Sequence, residues 1–509
     1  MTAPGAIPRR GPARVRPAAS AAWLPLAALV LIGAVLRFAT LGRQSLWFDE
    51  AATWQLTQLP LGEMLRALPD RESNPPLFYL LEWLTTRALG DSEAALRALS
   101  ACAGTALIGV AYAIGARIGA ARPGSRRIAL AAAALAAVNP MLVWFSQEAR
   151  NYSLIALLSA VALLLFLHAL DDGRPALLGW WAVASALALC SHYFAAFVIA
   201  PQAAWLLWRH RRRATAAGAV AAVTLVGAAL LPLLLAQRDN PYDIAGQSLG
   251  LRMLQVPKQF LLGYHGPLPL LCGVLGAGCL VCAVILLVRG TERQTRDRAL
   301  FVGGIGLVAV LLAFAGGLLG ADYLNARNLI AALPALLAAL AAGFAAPRSR
   351  HAAVGTAALA GLCAVSLAIV VAVAADKTYQ RADWRGLAQA LGRPAEPRAL
   401  VVTPANGEVV LRYYLRDLET LPQDGVPLRD VVAAGVAESG GPGHAPRLPQ
   451  PTSSRYPDGA FGTPVAEHSD TWTLLRFHEQ RPRLAQPWPL AAVRFSQELP
   501  SVLLQRPGG

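Results

Sequence analysis

The sequence predicts a polytopic α-helical membrane protein that carries a small C-terminal α/β domain on the outer side of the membrane. Three observations lead there. The chain is 55% hydrophobic and only 15% charged, with a mean hydropathy of +0.45 over 509 residues. Apolar runs long enough to approach the ~30 Å of a bilayer core recur through most of the chain. The arginines behind a net charge of +15 and a pI near 10.2 gather in short loops between those runs. That distribution is the positive-inside pattern of a membrane protein, so no nucleic-acid partner is expected.

Taken in order, residues 1–20 form a basic leader with Arg9, Arg10, Arg14 and Arg16 ahead of the first apolar segment, which places the N-terminus in the cytoplasm. A secretory signal peptide is the competing reading. Arg37 inside the first apolar run and the lack of a clean small-x-small site speak against it. Apolar segments at 21–41, 94–115, 128–145, 153–170, 176–192, 194–209, 215–236, 268–288, 299–320, 329–346 and 352–375 give about eleven transmembrane helices in a domain spanning 21–375. Basic loops from Arg117 to Arg127, Arg209 to Arg213, Arg289 to Arg298 and Arg348 to His351 then all face the cytoplasm. The turn at 171–174 joins them by alternation alone. Within the first outer loop, 42–93, the stretch Pro75 to Leu89 is too short to span and carries Glu82 and Arg87. It reads as an interfacial helix with Pro75 or Pro76 in its first turn. The six cysteines lie in apolar segments without metal spacing and read as small core residues.

This layout puts every polar cluster on the non-cytoplasmic side: Asp49-Glu50, Arg71-Glu72, Gln147-Glu148-Ala149-Arg150, Ser191-His192-Tyr193, Lys258 to His265, and Asp322 to Arg327. Acids, a histidine and arginines converging at one face of a bundle describe a site for a charged, membrane-derived ligand. Arginine suits phosphate, and carboxylate suits proton abstraction or a metal. The run Leu46-Trp47-Phe48-Asp49-Glu50 is the most telling, because it sets two carboxylates at the rim of an apolar bundle. The plainer reading is that the pair caps a loop helix.

From about residue 376 the composition turns polar. Ala399 to Thr403 and Thr471 to Phe477 read as strands, Gly407 to Arg416 as a helix, and the Pro- and Gly-rich stretch 440–464 as loop. With eleven crossings and an inside start, 376–509 is an extracytoplasmic domain. No catalytic motif marks it, and a cap or an acceptor-docking module is the expected role.

Several motifs, in order, resemble the bacterial GT-C glycosyltransferases of the protein O-mannosyltransferase and lipid A aminoarabinose transferase branch. They are Trp47-Phe48-Asp49-Glu50, Asn74-Pro75-Pro76-Leu77-Phe78-Tyr79-Leu80-Leu81, Leu96-Arg97-Ala98-Leu99-Ser100, Ser146-Gln147-Glu148-Ala149-Arg150-Asn151-Tyr152-Ser153, and Ala326-Arg327-Asn328-Leu329 ahead of Leu333-Pro334. The resemblance runs from the first span to about Asp383-Trp384-Arg385. It implies a GT-C-like fold, a polyprenyl-phosphate-linked sugar donor, a lipid, glycan or protein acceptor, and inverting transfer on the outer face of the cytoplasmic membrane. Asn74 stands where relatives carry His or Lys, and Asn328 where a tyrosine is common; Glu72 keeps the acidic position.

In an inverting transfer a carboxylate accepts the proton of the attacking hydroxyl while cations stabilise the departing phosphate. Asp49 is the candidate base, and Glu50 orients it or the acceptor. Glu72 and Glu148 are candidate ligands for a divalent cation, Mg or Mn, bridging to phosphate. Arg150 and Arg327 are candidate phosphate donors. His192 is a candidate for substrate or metal contact, and Tyr79, Tyr152 and Tyr193 are candidate linings of the sugar site. Each has a plainer alternative: a solvated acid, a headgroup arginine, an interfacial aromatic. A transporter or flippase for a lipid-linked or anionic solute is the reading from another class. It would set charges at mid-membrane within repeated halves, a pattern not seen here.

Overall fold

A computed structural model describes residues 23–120, 124–238, 247–345, 349–420, 427–428, 430–436, 451–452, 465–469, 472–478, 488–489, 494–495 and 501–507. The basic leader and nearly all of the 440–464 loop lie outside the described residues.

Eighteen α-helices follow one another among the described residues. They are α1 (Leu24–Phe38), α2 (Phe48–Gln58), α3 (Leu61–Arg71), α4 (Leu77–Leu89), α5 (Glu93–Gly119), α6 (Ser125–Val138), α7 (Pro140–Ser146), α8 (Tyr152–Asp171) and α9 (Pro175–Ser191). Next come α10 (Ala195–Arg209), α11 (Ala214–Gln237), α12 (Leu249–Leu262), α13 (Pro269–Ile285), α14 (Arg293–Leu318), α15 (Leu333–Ala345), α16 (Ser349–Ala375), α17 (Trp384–Leu391) and α18 (Gly407–Tyr414). Every apolar segment read from the sequence is helical. Among the described residues six helices are long and apolar enough to cross a membrane, or seven if the bent α6 and α7 pair is one span. The remaining segments, α1, α9, α10 and α15, have 15, 17, 15 and 13 described residues. At about 1.5 Å per residue they fall short of a full hydrocarbon core.

The segment 128–145, expected as one straight crossing, is broken instead at Asn139 and Pro140, where α6 and α7 meet at 54°. Pro140 has no N–H to give the carbonyl four residues back. Arg37, fully buried on α1, answers that loss: its guanidinium donates to Ala136 O at 3.0 Å, Ala137 O at 2.9 Å and Ser146 Oγ at 3.1 Å. Gly104 on α5 lets this junction close, since a Cβ there would overlap Ser146 Oγ and meet Arg37 Nε. The arginine that interrupts the first apolar run is thus the cap of a broken helix.

The first outer loop folds into α2, α3 and α4 around a small core of Leu56, Met64, Leu68, Phe78 and Tyr79. Pro76 precedes α4, and Gly90, at φ +83°, ends it. Beyond α16 lies the α/β unit. Its six-stranded sheet has the order Leu418–Thr420, Ser501–Gln505, Arg398–Thr403, Asp430–Val436, Trp472–His478, Val465–His468, and only the central pair is parallel. Trp384, Leu387, Leu400, Val402, Val410 and Leu411 fill its core together with Ala51 of α2, so the sheet domain is seated on the first outer loop. Polar contacts pin the seam. Arg385 and Tyr414 both engage Glu93, Leu46 N–H donates to Tyr414 Oη at 2.8 Å, and Asp91 receives Trp54 Nε1 at 3.1 Å and Arg416 at 2.9 Å.

Candidate active site

The chain folds most of the polar clusters noted in its sequence onto one place. Helix α2 begins just after Trp47, which brings Asp49 and Glu50 into its first turn, where the free N–H groups and the dipole favour negative charge. The two carboxylates then part. Glu50 is wholly buried and takes the fork of Arg97, with Nε to Oε1 and Nη2 to Oε2 both at 2.7 Å, and it also accepts Ala149 N–H at 2.9 Å. Burial alone would push its carboxyl up. The guanidiniums of Arg97 and Arg381 outweigh that and hold it below the ordinary range. Arg97 donates its other hydrogens to Leu41 O, Gln44 O and Ser45 O, so one buried pair locks the segment that presents Asp49. Glu50 therefore acts on the backbone around Asp49 rather than in the cavity.

Asp49 points the other way, its Oδ2 lying 3.5 Å from Arg327 Nη1. Arg327 comes from the loop before α15 and packs between the rings of Trp47 and Tyr152, 5.8 and 5.9 Å from their centroids. Asn325 Oδ1 steadies this loop by accepting the N–H of Arg327 and the hydroxyl of Tyr264, both at 3.1 Å.

Arg327 forms part of the wall of a cavity of about 800 Å³. Leu262, Pro267, Cys272 and Ile369 line an apolar portion; Lys258, Arg327, Arg381 and Glu148 supply its charges, and Trp47, Trp144 and Tyr264 its aromatic faces. The sheet domain contributes Trp384, Pro404, Asn406 and Val436, so the cavity lies where the helical and sheet units meet. Lys258 makes no ion pair among the described residues.

The other candidates are placed unequally. Arg150 is buried behind Asp49, bidentate to Glu72 at 2.8 and 3.0 Å and donating also to Thr53 Oγ1. It supports α2 and does not line the cavity. Tyr79 lies in the α2–α4 core, and Tyr152 backs Arg327 with its ring tilted against that of Phe145, the centroids 4.7 Å apart. His192 is buried next to Tyr152, their ring centroids 6.1 Å apart. Phe194 N–H donates to its Nδ1 at 3.1 Å. Tyr193 donates to Gln237 Oε1 at 2.7 Å.

Glu148 lines the cavity and pairs with Arg381 at 2.7 Å. Burial raises its carboxyl to about 7, with Arg381 opposing and Glu50 and Asp49 adding to the rise. Glu72 and Glu148, the candidate divalent-cation ligands, are each held by a different arginine, and among the described residues no three His, Cys, Asp or Glu gather at ligand spacing. Arg381 is the site residue that sequence reasoning missed. It sits in the linker after α16 with no motif around it, and only the fold carries it back onto Trp144 and Glu148.

Residues 73–235 match the family described as dolichyl-phosphate-mannose-protein mannosyltransferase. Among solved structures, ArnT from Cupriavidus metallidurans in the apo state superposes with a TM-score of 0.53 at 14% identity, covering 78% of this chain and 85% of ArnT. The same protein bound to undecaprenyl phosphate gives 0.52 at 13% identity, covering 92% and 100%. The fold is that of the GT-C glycosyltransferases. At such identity the likeness to ArnT is one of architecture, and the GT-C resemblance read from the motifs stands with it. No curated protein matches the chain by sequence.

Proposed function

We propose that this GT-C protein transfers a sugar from a polyprenyl-phosphate-linked donor to a lipid, glycan or protein acceptor at the outer face of the cytoplasmic membrane, with inversion and with Asp49 as the base. The observation that carries the reading is the pairing of Asp49 with Arg327, which is itself a wall residue of a cavity lined by both apolar and cationic side chains. The prenyl chain lies along Leu262, Cys272 and Ile369, and the phosphate meets Arg327 and Lys258. The acceptor oxygen attacks the anomeric carbon from the face opposite the phosphate. The bond from that carbon to the phosphate oxygen breaks, the hydroxyl proton passes to Asp49, and the charge growing on the phosphate falls to Arg327 and Lys258. The family match over residues 73–235 and the undecaprenyl phosphate bound by ArnT support this choice of donor class.

Mass spectrometry of envelope glycolipids, glycans and glycoproteins with and without the gene names the product, and the purified chain then tests the roles. Asp49→Asn should lower turnover about 10²- to 10⁴-fold while undecaprenyl phosphate binding stays intact. Arg327→Ala should cost transfer about 2–4 kcal/mol, and Arg327→Lys a part of it, because a point charge does not replace the fork. Wild-type turnover in Asp49→Asn would remove the base from Asp49. Unchanged product profiles with and without the gene would favour a carrier that moves the lipid intact.

A further inference from the structure

Two buried polar atoms of side chains that line the cavity have no hydrogen-bond partner among the described residues. One is Glu148 Oε1, on a side chain only 1% exposed whose other oxygen is held by Arg381. The other is the indole Nε1 of Trp47. Both residues line the same cavity. An ionised carboxylate oxygen accepts and a protonated one can donate, while an indole N–H can only donate, so leaving both unfilled is costly, and a group that both donates and accepts satisfies them in either protonation state of Glu148. A hydroxyl-bearing ligand does. An ammonium donates only, and a second carboxylate accepts only.

The surroundings narrow the class. The guanidinium of Arg381 lies 4.4 Å from the Trp144 ring centroid, and Trp144 stands 5.5 Å from His265, another lining residue. Flat aromatic faces beside a carboxylate and a guanidinium match a ring that has apolar C–H faces and a polar hydroxyl rim. The charged lining groups are Lys258, Arg327 and Arg381 against Glu148. That cationic excess suits a phosphate and disfavours a cationic sugar, while a sugar carboxylate would face Glu148 directly. We propose that Glu148, Trp47, Arg381 and Trp144 form the subsite for the transferred sugar, and that it selects an uncharged sugar through its hydroxyls. The inference rests on the donor reading above and deepens it.

The test is a binding series on the full chain in nanodiscs. The probes are undecaprenyl phosphate and its conjugates with mannose and glucose (uncharged), glucosamine (cationic) and galacturonic acid (anionic). At least one uncharged conjugate should bind about tenfold more tightly than the bare lipid, and the charged ones should show no gain. Glu148→Leu and Trp47→Phe should each erase that gain while affinity for undecaprenyl phosphate holds within about twofold. If the bare lipid binds and no uncharged sugar improves it, or if a charged conjugate binds best, the subsite is wrong and the donor reading survives. A gain that persists in both variants, or equal loss of bare-lipid binding in both, also overturns the assignment. Should the wild type bind none of the lipids, the donor reading falls and the subsite with it.

Discussion

Neighbouring carboxylates on one helical turn do different work here because the turn sends them in different directions. Asp49 faces Arg327, a wall residue of the cavity, and Glu50 is sunk in a bidentate pair with Arg97. Removing one partner of a buried pair leaves an uncompensated charge, which typically costs about 3–5 kcal/mol. Glu50→Gln should therefore lower thermal stability and yield far more than Asp49→Asn does, and thermal unfolding of the two variants in the same detergent measures it. An equal, small shift in both would put Glu50 back among the groups that face substrate. Glu148 leads to a pH prediction. Its folded carboxyl titrates near 7, above the ordinary glutamate range, so the folded state holds a proton that the unfolded chain releases. Stability gained from this group is present at low pH and is lost as pH rises through 7. Relative to Glu148→Gln, the wild type should become less heat-stable as pH goes from about 5 to about 8. A difference that is flat across that window would refute the buried, raised carboxyl. The acids themselves were legible in the sequence as outliers in an apolar chain. Which arginine each acid meets was not, because it depends on where Arg97, Arg327 and Arg381 arrive from other parts of the chain.

At the level of elements, the break between α6 and α7 turns the chain just ahead of Gln147 and Glu148. Pro140 was visible in the sequence, yet the hydropathy of 128–145 ran straight through it. The bend becomes evident only with Arg37 seated on the freed carbonyls. The junction tolerates no extra volume, which makes two glycines of α5 a matched pair. Gly104→Ala drives a methyl into Ser146 and the Arg37 cluster, and overpacking of this kind costs about 1–3 kcal/mol. Gly109→Ala meets nothing within 4 Å and should be silent or mildly stabilising. Thermal unfolding of both variants separates a packing requirement at one position from a general need for glycine in the helix. Equal behaviour would mean that the junction adapts.

On the scale of the whole molecule, the sheet domain completes the cavity wall with Trp384, Pro404, Asn406 and Val436, and it is tied to the first outer loop through Glu93 and Asp91. Its side of the membrane must therefore be the side of Asp49. A topology reporter fused after Gly509 should read as periplasmic and one after Arg213 as cytoplasmic; the opposite pair of signals would invert the site and end the outer-face reading. The sequence by itself determined the membrane class, the helical segments, the α/β character of the tail and the polar clusters that build the site, because hydropathy and charge asymmetry are local properties that partition into lipid or water with little regard to partners. Tertiary structure alone decided which arginine meets which carboxylate, that Arg150 and Glu72 support Asp49 from behind while Arg327 lines the cavity, and that the linker residue Arg381 closes onto Glu148. Ion pairing in a buried site depends on distances of about 3 Å between residues far apart in the chain, and no spacing along the sequence encodes those distances.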